Sequence, residues 1–483
     1  MDSQDKGASP IKGFLTYFYG NFVVLLLGFI QTPLLTRILA TDEYGKTGLF
    51  ETAVTVIYIF AVLGLDQAYI RYYYEKDIDR VVLLKRCLLP ALCIVTVLSL
   101  VYIIISESAN DFLFGATGRD VVALVVIYTF ISVLERFFFL DVRMQQNGVL
   151  YSNINIIEKI LSILTIIAAF FMLGNDYRVG LYALAVPWGC TTAFLIIRFL
   201  VQHRSYRLDG QAFIPSYREL LSYGVPFITV LLMEWALSSC DRIALRSFTD
   251  FDELGIYDAG MKIVILLITF KNTFIAYWSP VAMERFESGK DEENKVFFRR
   301  AYDTVVFLCV TGAAFLILAR KLIVLLLGAS YRSAESVIPF LTLMPIYAIM
   351  FEITVQSIKY TKNGRYLNIA SIAALAANIA GNMLLVPVFG GTGAAVTTGV
   401  SYIIYFIMGT VFSERCIKIG YRYGKTALYT ILLIAYCTEA SFVNDTLTDT
   451  LCGIILIAVV MIMDRKVVKE GIVLCRKYLR KVK

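Results

Sequence analysis

The sequence predicts an all-α, polytopic membrane protein of about 14 transmembrane helices. Three observations carry this expectation. Of its 483 residues, 58% are hydrophobic and only 17% charged, with a mean hydropathy of +0.70, far from the composition of a soluble domain. Apolar runs of about 21 residues recur along the whole chain and occupy roughly 61% of it, which leaves no room for a separate soluble domain. Lys and Arg are shared unevenly: 31 of 45 fall on one side of the runs, 9 on the other and 5 within them. By the positive-inside rule, both termini are expected in the cytoplasm. These features exclude a secreted protein, a nucleic-acid binder and an enzyme that needs an appended domain, and they make the net charge of +7 a matter of topology.

The first span is expected at 14–39, because Met1–Pro10 carries Asp2 and Asp5 and the run from Phe14 to Leu39 is too long for a cleavable signal-peptide core. The next five runs lie at 45–65, 83–105, 120–140, 151–173 and 180–200. The basic stretch 66–86 marks an inner connection, and short polar connections lie outside. Six more follow at 219–240, 256–278, 301–319, 336–358, 366–387 and 392–412, then two at 425–443 and 449–463 before a tail with eight Lys and Arg. The run Leu322–Leu327, beyond Arg320 and Lys321, either extends the ninth helix or forms a short interfacial segment. No outer connection is long enough to fold alone.

The order of elements divides the chain into a six-helix bundle at 1–203, a cytoplasmic linker at 204–218, a second six-helix bundle at 219–420, and two extra helices with a basic tail at 421–483. An internal repeat supports the division. Asp42-Glu43-Tyr44-Gly45 follows the first span, and Asp252-Glu253-Leu254-Gly255 follows the seventh, an offset of 210. Both stand before an apolar helix, where the aspartate is expected to cap the N-terminus and the glycine to allow close helix approach.

Little in the chain supports catalysis. The one histidine, His203, falls in an inner loop, and the nine cysteines are scattered without a CxxC pair, so no metal, cofactor or disulfide framework is expected. The outer acids Asp111, Asp120 and Asp176 form no paired motif. Charges inside spans cost about 2.5–3.5 kcal/mol each and therefore mark function or a helix end. Lys159 and Glu158 lie about 12 Å into the fifth span at 1.5 Å per residue. Being adjacent, they point about 100° apart, so at least one faces the interior. Lys271 is deeper than Lys262 on the eighth helix, and Glu234 lies deep in the seventh. Arg136, Arg143 and Arg198 lie within reach of the inner interface, and Glu51, Asp66, Asp241 and Glu352 lie near span ends. The cavity candidates are Lys159, Lys271, Glu158, Glu234, Arg37 and Arg136. Desolvated lysines among them would suit an anionic headgroup.

Three stretches resemble one family. Thr36-Arg37-Ile-Leu-Ala-Thr-Asp-Glu-Tyr-Gly45 is the first, and Asp241-Arg242-Ile-Ala-Leu-Arg-Ser-Phe with Leu254-Gly255-Ile-Tyr257-Asp-Ala is the second. The third and most specific is Lys362-Asn-Gly-Arg365 leading to Asn378-Ile-Ala-Gly-Asn382 and Pro387-Val-Phe-Gly390-Gly-Thr-Gly393. Over residues 10–420 the chain resembles the Wzx-type O-antigen and capsule flippases of the multidrug/oligosaccharidyl-lipid/polysaccharide exporter superfamily. The resemblance implies an alternating-access fold in the bacterial inner membrane. Its implied substrate is an oligosaccharide on undecaprenyl pyrophosphate, moved from the inner to the outer leaflet for surface polysaccharide biosynthesis. No sequence feature separates H+ or Na+ antiport from flipping driven by downstream consumption, and polysaccharide polymerase and chain-length proteins are candidate partners. The Arg-rich signature of lipid II flippases is not found here. A multidrug and toxin extrusion antiporter, usually of twelve spans, is the alternative, and a membrane polymerase or ligase would need a large external loop.

Overall fold

The computed structural model describes residues 10–115, 118–204, 206, 213–288 and 291–469; residues 205 and 207–212 of the expected linker and the tail from 470 lie outside them. The described residues form helices and no strands, only an isolated bridge between Ile78 and Phe213. The helices are α1 (Pro10–Ile38), α2 (Thr41–Val62), α3 (Leu65–Tyr72), α4 (Arg80–Phe114), α5 (Arg119–Met144), α6 (Gly148–Leu173), α7 (Arg178–Gln202) and α8 (Tyr217–Phe248). They continue with α9 (Phe251–Glu287), α10 (Asp291–Val324), α11 (Ile338–Thr354), α12 (Gln356–Tyr360), α13 (Gly364–Cys416), α14 (Tyr423–Thr438) and α15 (Thr446–Met463).

Every expected span falls on a helix, and the all-α membrane fold stands. Among the described residues, nine helices are long and apolar enough to cross a bilayer, eleven when two bent pairs each count as one span. The other expected spans are α1, described as apolar over Val23–Ile38, α9, and the second half of α13. Large apolar side chains stand outward: Ile104 and Phe171 are 82% exposed and Met172 83%. In water such surfaces would drive association, whereas lipid is their natural solvent.

The chain divides into two compact units, Met1–Arg246 and Ser247–Lys483. In the first, Leu63 (φ 50) and Gly64 (φ 68) break the path between α2 and α3. Gly64 faces Gly224 of α8 so closely that a Cβ there would stand 2.1 Å from the Gly224 oxygen. The core of this unit lies among α2 to α5, with Leu65, Tyr69, Leu83, Cys87 and Phe137 buried. Asp79 caps α4 through the Val81 and Val82 N–H groups, and Asn147 caps α6.

In the second unit, the spans expected at 366–387 and 392–412 are two helices that meet at a kink at Gly390 (φ 52, ψ −133). A straight helix would put residues 378 and 398 about 30 Å apart, yet Asn378 Nδ2 donates to Thr398 Oγ1 at 3.3 Å. The two halves therefore fold back on each other. A Cβ on Gly381 would stand 2.7 Å from Thr397, and Asn382 donates to Asn378 at 3.2 Å. The asparagines and glycine of the third family-like stretch thus pin this hairpin.

α14 and α15 are tied to α10 by buried charge. The Arg320 side chain is wholly buried and donates at 2.8 Å to both Asp449 carboxylate oxygens, with the Ala440 and Ile317 carbonyls and Asn444 as further acceptors. Nearer the other end of α10, Lys425 bridges Asp303 at 2.9 Å and Asp464 at 2.7 Å. The run beyond Arg320 extends α10 as far as Val324.

The repeated Asp-Glu-x-Gly turn departs from its expected geometry. α2 has Ala40 at its N-cap with no side-chain cap, and α9 is capped by Asp250, so Asp42 and Asp252 lie inside the first turn. The glutamates make the long-range contacts instead. Glu43 accepts the Tyr177 backbone N–H at 2.6 Å, at the start of α7. Glu253 accepts the Gly391 N–H at 2.8 Å, where the second half of α13 begins. Each unit thus closes the N-terminus of its later helix with a carboxylate from its earlier one, an arrangement that opposes charge to the positive helix end.

Candidate functional site

In the first unit, three helices each turn a stripe toward one cavity of about 400 Å³. α2 contributes Glu51, Val54, Thr55 and Tyr58, α5 contributes Tyr128, Ser132 and Glu135, and α7 contributes Leu184 and Trp188. Steps of three and four residues place each set on one helical face. Arg136 joins the wall from α5.

The wall is held rigidly. Tyr128 stacks on Phe50 at 5.2 Å between ring centroids and meets Trp188 at 5.4 Å. The Trp188 indole N–H donates to Glu158 of α6. Arg136 donates from Nε at 3.0 Å and from Nη2 at 2.5 Å to one oxygen of Asp66, which is 1% exposed. That guanidinium is committed to a buried carboxylate. The cavity therefore presents the carboxyl groups of Glu51 and Glu135, hydroxyl groups and aromatic rings.

Of the cavity candidates from sequence, Arg136 lines this cavity and Glu158 reaches it through Trp188. Lys159 turns elsewhere, donating from Nζ to Gln31 Oε1 of α1 at 3.2 Å. Glu158 and Lys159 thus engage different helices, as their angular separation requires. Arg37 is exposed at the end of α1. Lys271 lies in the second unit, 3.8 Å from Glu352, which also pairs with Lys359 at 3.2 Å. The Glu234 side chain lies outside the described residues. Sequence reasoning missed Glu135 and gave Glu51 and Asp66 little weight. The polar residues recurring at three and four inside the runs 45–65 and 120–140 were the available signal.

At the start of α7, Arg178 gathers Asp176 at 2.8 Å and Asp120 at 2.6 Å. Burial works against the Asp176 carboxylate, but its bonds from the Arg178 guanidinium and backbone N–H hold it below the ordinary range.

A family model described as "Polysaccharide biosynthesis protein" matches residues 11–286. An uncharacterized membrane protein of Methanocaldococcus jannaschii is 25% identical, covering 89% of this chain and 91% of that one. A probable low-salt glycan biosynthesis flippase of Haloferax volcanii is 20% identical, covering 91% of this chain and 88% of that one. Among solved structures, the lipid II flippase MurJ in an inward closed conformation has a TM-score of 0.65 at 14% identity, covering 94% of this chain and 100% of the other. An inward-facing multidrug resistance MATE family transporter of the MOP superfamily has a TM-score of 0.59 at 14% identity, covering 86% and 99%. The fold is shared with these transporters.

Proposed function

The chain belongs to the polysaccharide biosynthesis protein family, and from that premise we propose that it is an alternating-access flippase for a lipid-linked oligosaccharide. The family match over residues 11–286 carries this reading; the transporter fold and the flippase named among its relatives support it. The proposed cargo is an oligosaccharide on undecaprenyl pyrophosphate, moved from the inner to the outer leaflet of a bacterial inner membrane, with both termini cytoplasmic. The moving parts are the bundles at 1–203 and 219–420, and an H+ or Na+ gradient is the proposed energy source. Polymerase and chain-length proteins would take the product.

Lys159 in the first unit and Lys271 in the second are, each by itself, the proposed cations for the diphosphate. Lys159 Nζ donates to Gln31 at 3.2 Å, and among the described residues Lys271 lies 3.8 Å from Glu352, which Lys359 also approaches at 3.2 Å. A phosphate gains most from such cations in low dielectric. Deleting the gene should abolish the surface glycan, and wild-type chain should restore it. Lys159→Gln and Lys271→Gln, present in the membrane at normal levels, should fail to restore it, while Lys271→Arg restores it in part. Unchanged export by both glutamine variants removes the headgroup role. A surface glycan unaffected by the deletion removes the flippase reading.

A further inference from the structure

Resting on the flippase reading, we propose that the cavity of the first unit is a subsite for a sugar ring bearing hydroxyl or amino donors, and that it does not hold the diphosphate. Its wall offers the carboxyl groups of Glu51 and Glu135, the rings of Tyr58, Tyr128 and Trp188, and one guanidinium that Asp66 already neutralises. An anion entering it meets two carboxyl groups and a cation already paired with Asp66, with only hydroxyl donors to set against them. A pyranose has the opposite needs: its C–H faces pack on aromatic rings, and its hydroxyl or ammonium hydrogens require acceptors.

The size fits a small cargo group, because about 400 Å³ lies within the roughly 300–1,000 Å³ of small-molecule sites. The rigidity fits a selective one. Trp188 is fixed by Tyr128 on its ring and by Glu158 on its N–H, so little side-chain freedom remains to be lost on binding. The cavity would then take the sugar and leave the phosphates to cations outside it. The consequence is a preference within glycans: a neutral or amino sugar is accepted there, and a uronic acid is rejected.

Trp188 gives the subsite its own reporter. The full-length protein in nanodiscs is titrated with glucosamine, N-acetylglucosamine, glucuronate and inorganic pyrophosphate while tryptophan fluorescence is followed, with Trp188→Phe as subtraction. Glucosamine and N-acetylglucosamine should change the signal that Trp188→Phe removes; glucuronate and pyrophosphate should not. Glu135→Gln should weaken glucosamine about tenfold, as expected for loss of one hydrogen bond to the sugar's charged amino group, and weaken N-acetylglucosamine less. Calorimetry on wild type and Glu135→Gln answers the same question without altering a tryptophan. Glucuronate or pyrophosphate binding as well as glucosamine overturns the proposal. So does a signal that responds to Na+ in place of choline but to none of the sugars, which would make the cavity an ion site. If the sugars bind as expected while gene deletion leaves the surface glycan intact, the subsite stands and the flippase reading fails. If deletion abolishes the glycan and no sugar binds, the subsite alone fails.

Discussion

Replacing Glu43 and Glu253 by alanine tests whether the two units are built on one plan. Glu43 bonds the Tyr177 N–H at 2.6 Å and Lys46 Nζ at 2.5 Å, and Glu253 bonds the Gly391 N–H at 2.8 Å. A hydrogen bond to a charged group contributes about 1.5–3 kcal/mol, so each alanine should cost about 2 kcal/mol. For a cooperative unit of about 240 residues this lowers the midpoint by roughly 4–8 °C. Glutamine keeps the acceptor and should cost about half as much. The sites lie in different units, so the double variant should equal the sum within about 0.5 kcal/mol. A thiol-reactive dye can follow melting of the purified full-length protein, because Cys87 in the first unit and Cys309 and Cys437 in the second are buried until they unfold. Gly390→Ala belongs in the same series: at φ 52 and ψ −133 backbone strain alone should cost about 1–3 kcal/mol, and a Cβ there would stand 2.7 Å from Glu253 Oε2. If either glutamate-to-alanine variant melts within about 1 °C of wild type, the contact contributes nothing and the common plan loses its physical basis.

Two more outcomes follow from the charge pairs. Arg136→Gln strips Asp66, 1% exposed, of its cation and should destabilise the first unit by about 3–5 kcal/mol; Asp66→Asn should cost less, because the Arg136 side chain is 36% exposed and can reach solvent. Thermal melts of the two variants check the order. Asp176 is held below the ordinary carboxylate range, so its contribution is complete above the unfolded value of about 3.9 and is lost as pH falls through the folded one. Melting between pH 6 and 3 should show the wild type resisting acid to a lower pH than Arg178→Gln.

Span positions were legible because bilayer thickness is imposed directly on run length, and apolar runs need no knowledge of partners. The 210-residue repeat was legible for the same reason. What its residues do was not: a local reading assigns the cap to Asp42, whereas Glu43 finds its donor 134 positions away. The cavity was half visible. Glu158 stands out by its depth, whereas Arg136 lies within reach of the inner interface as an anchor would, and its partner Asp66 sits on α3, a short helix created by the break at Leu63 and Gly64 that no apolar run announces. Lys159 stands out in the sequence by its depth in an apolar run, but its neighbour Gln31 could not be found without the packing of α1 on α6.

The Arg320–Asp449 pair also sets an order of assembly. The two residues are 129 positions apart, so the ribosome delivers the guanidinium to the membrane well before its carboxylate exists. Until α15 is inserted, α10 carries a charge that hydrocarbon tolerates poorly. Only when α15 arrives does that arginine gain the carboxylate that neutralises it, so α15 supplies a charge that α10 is built around.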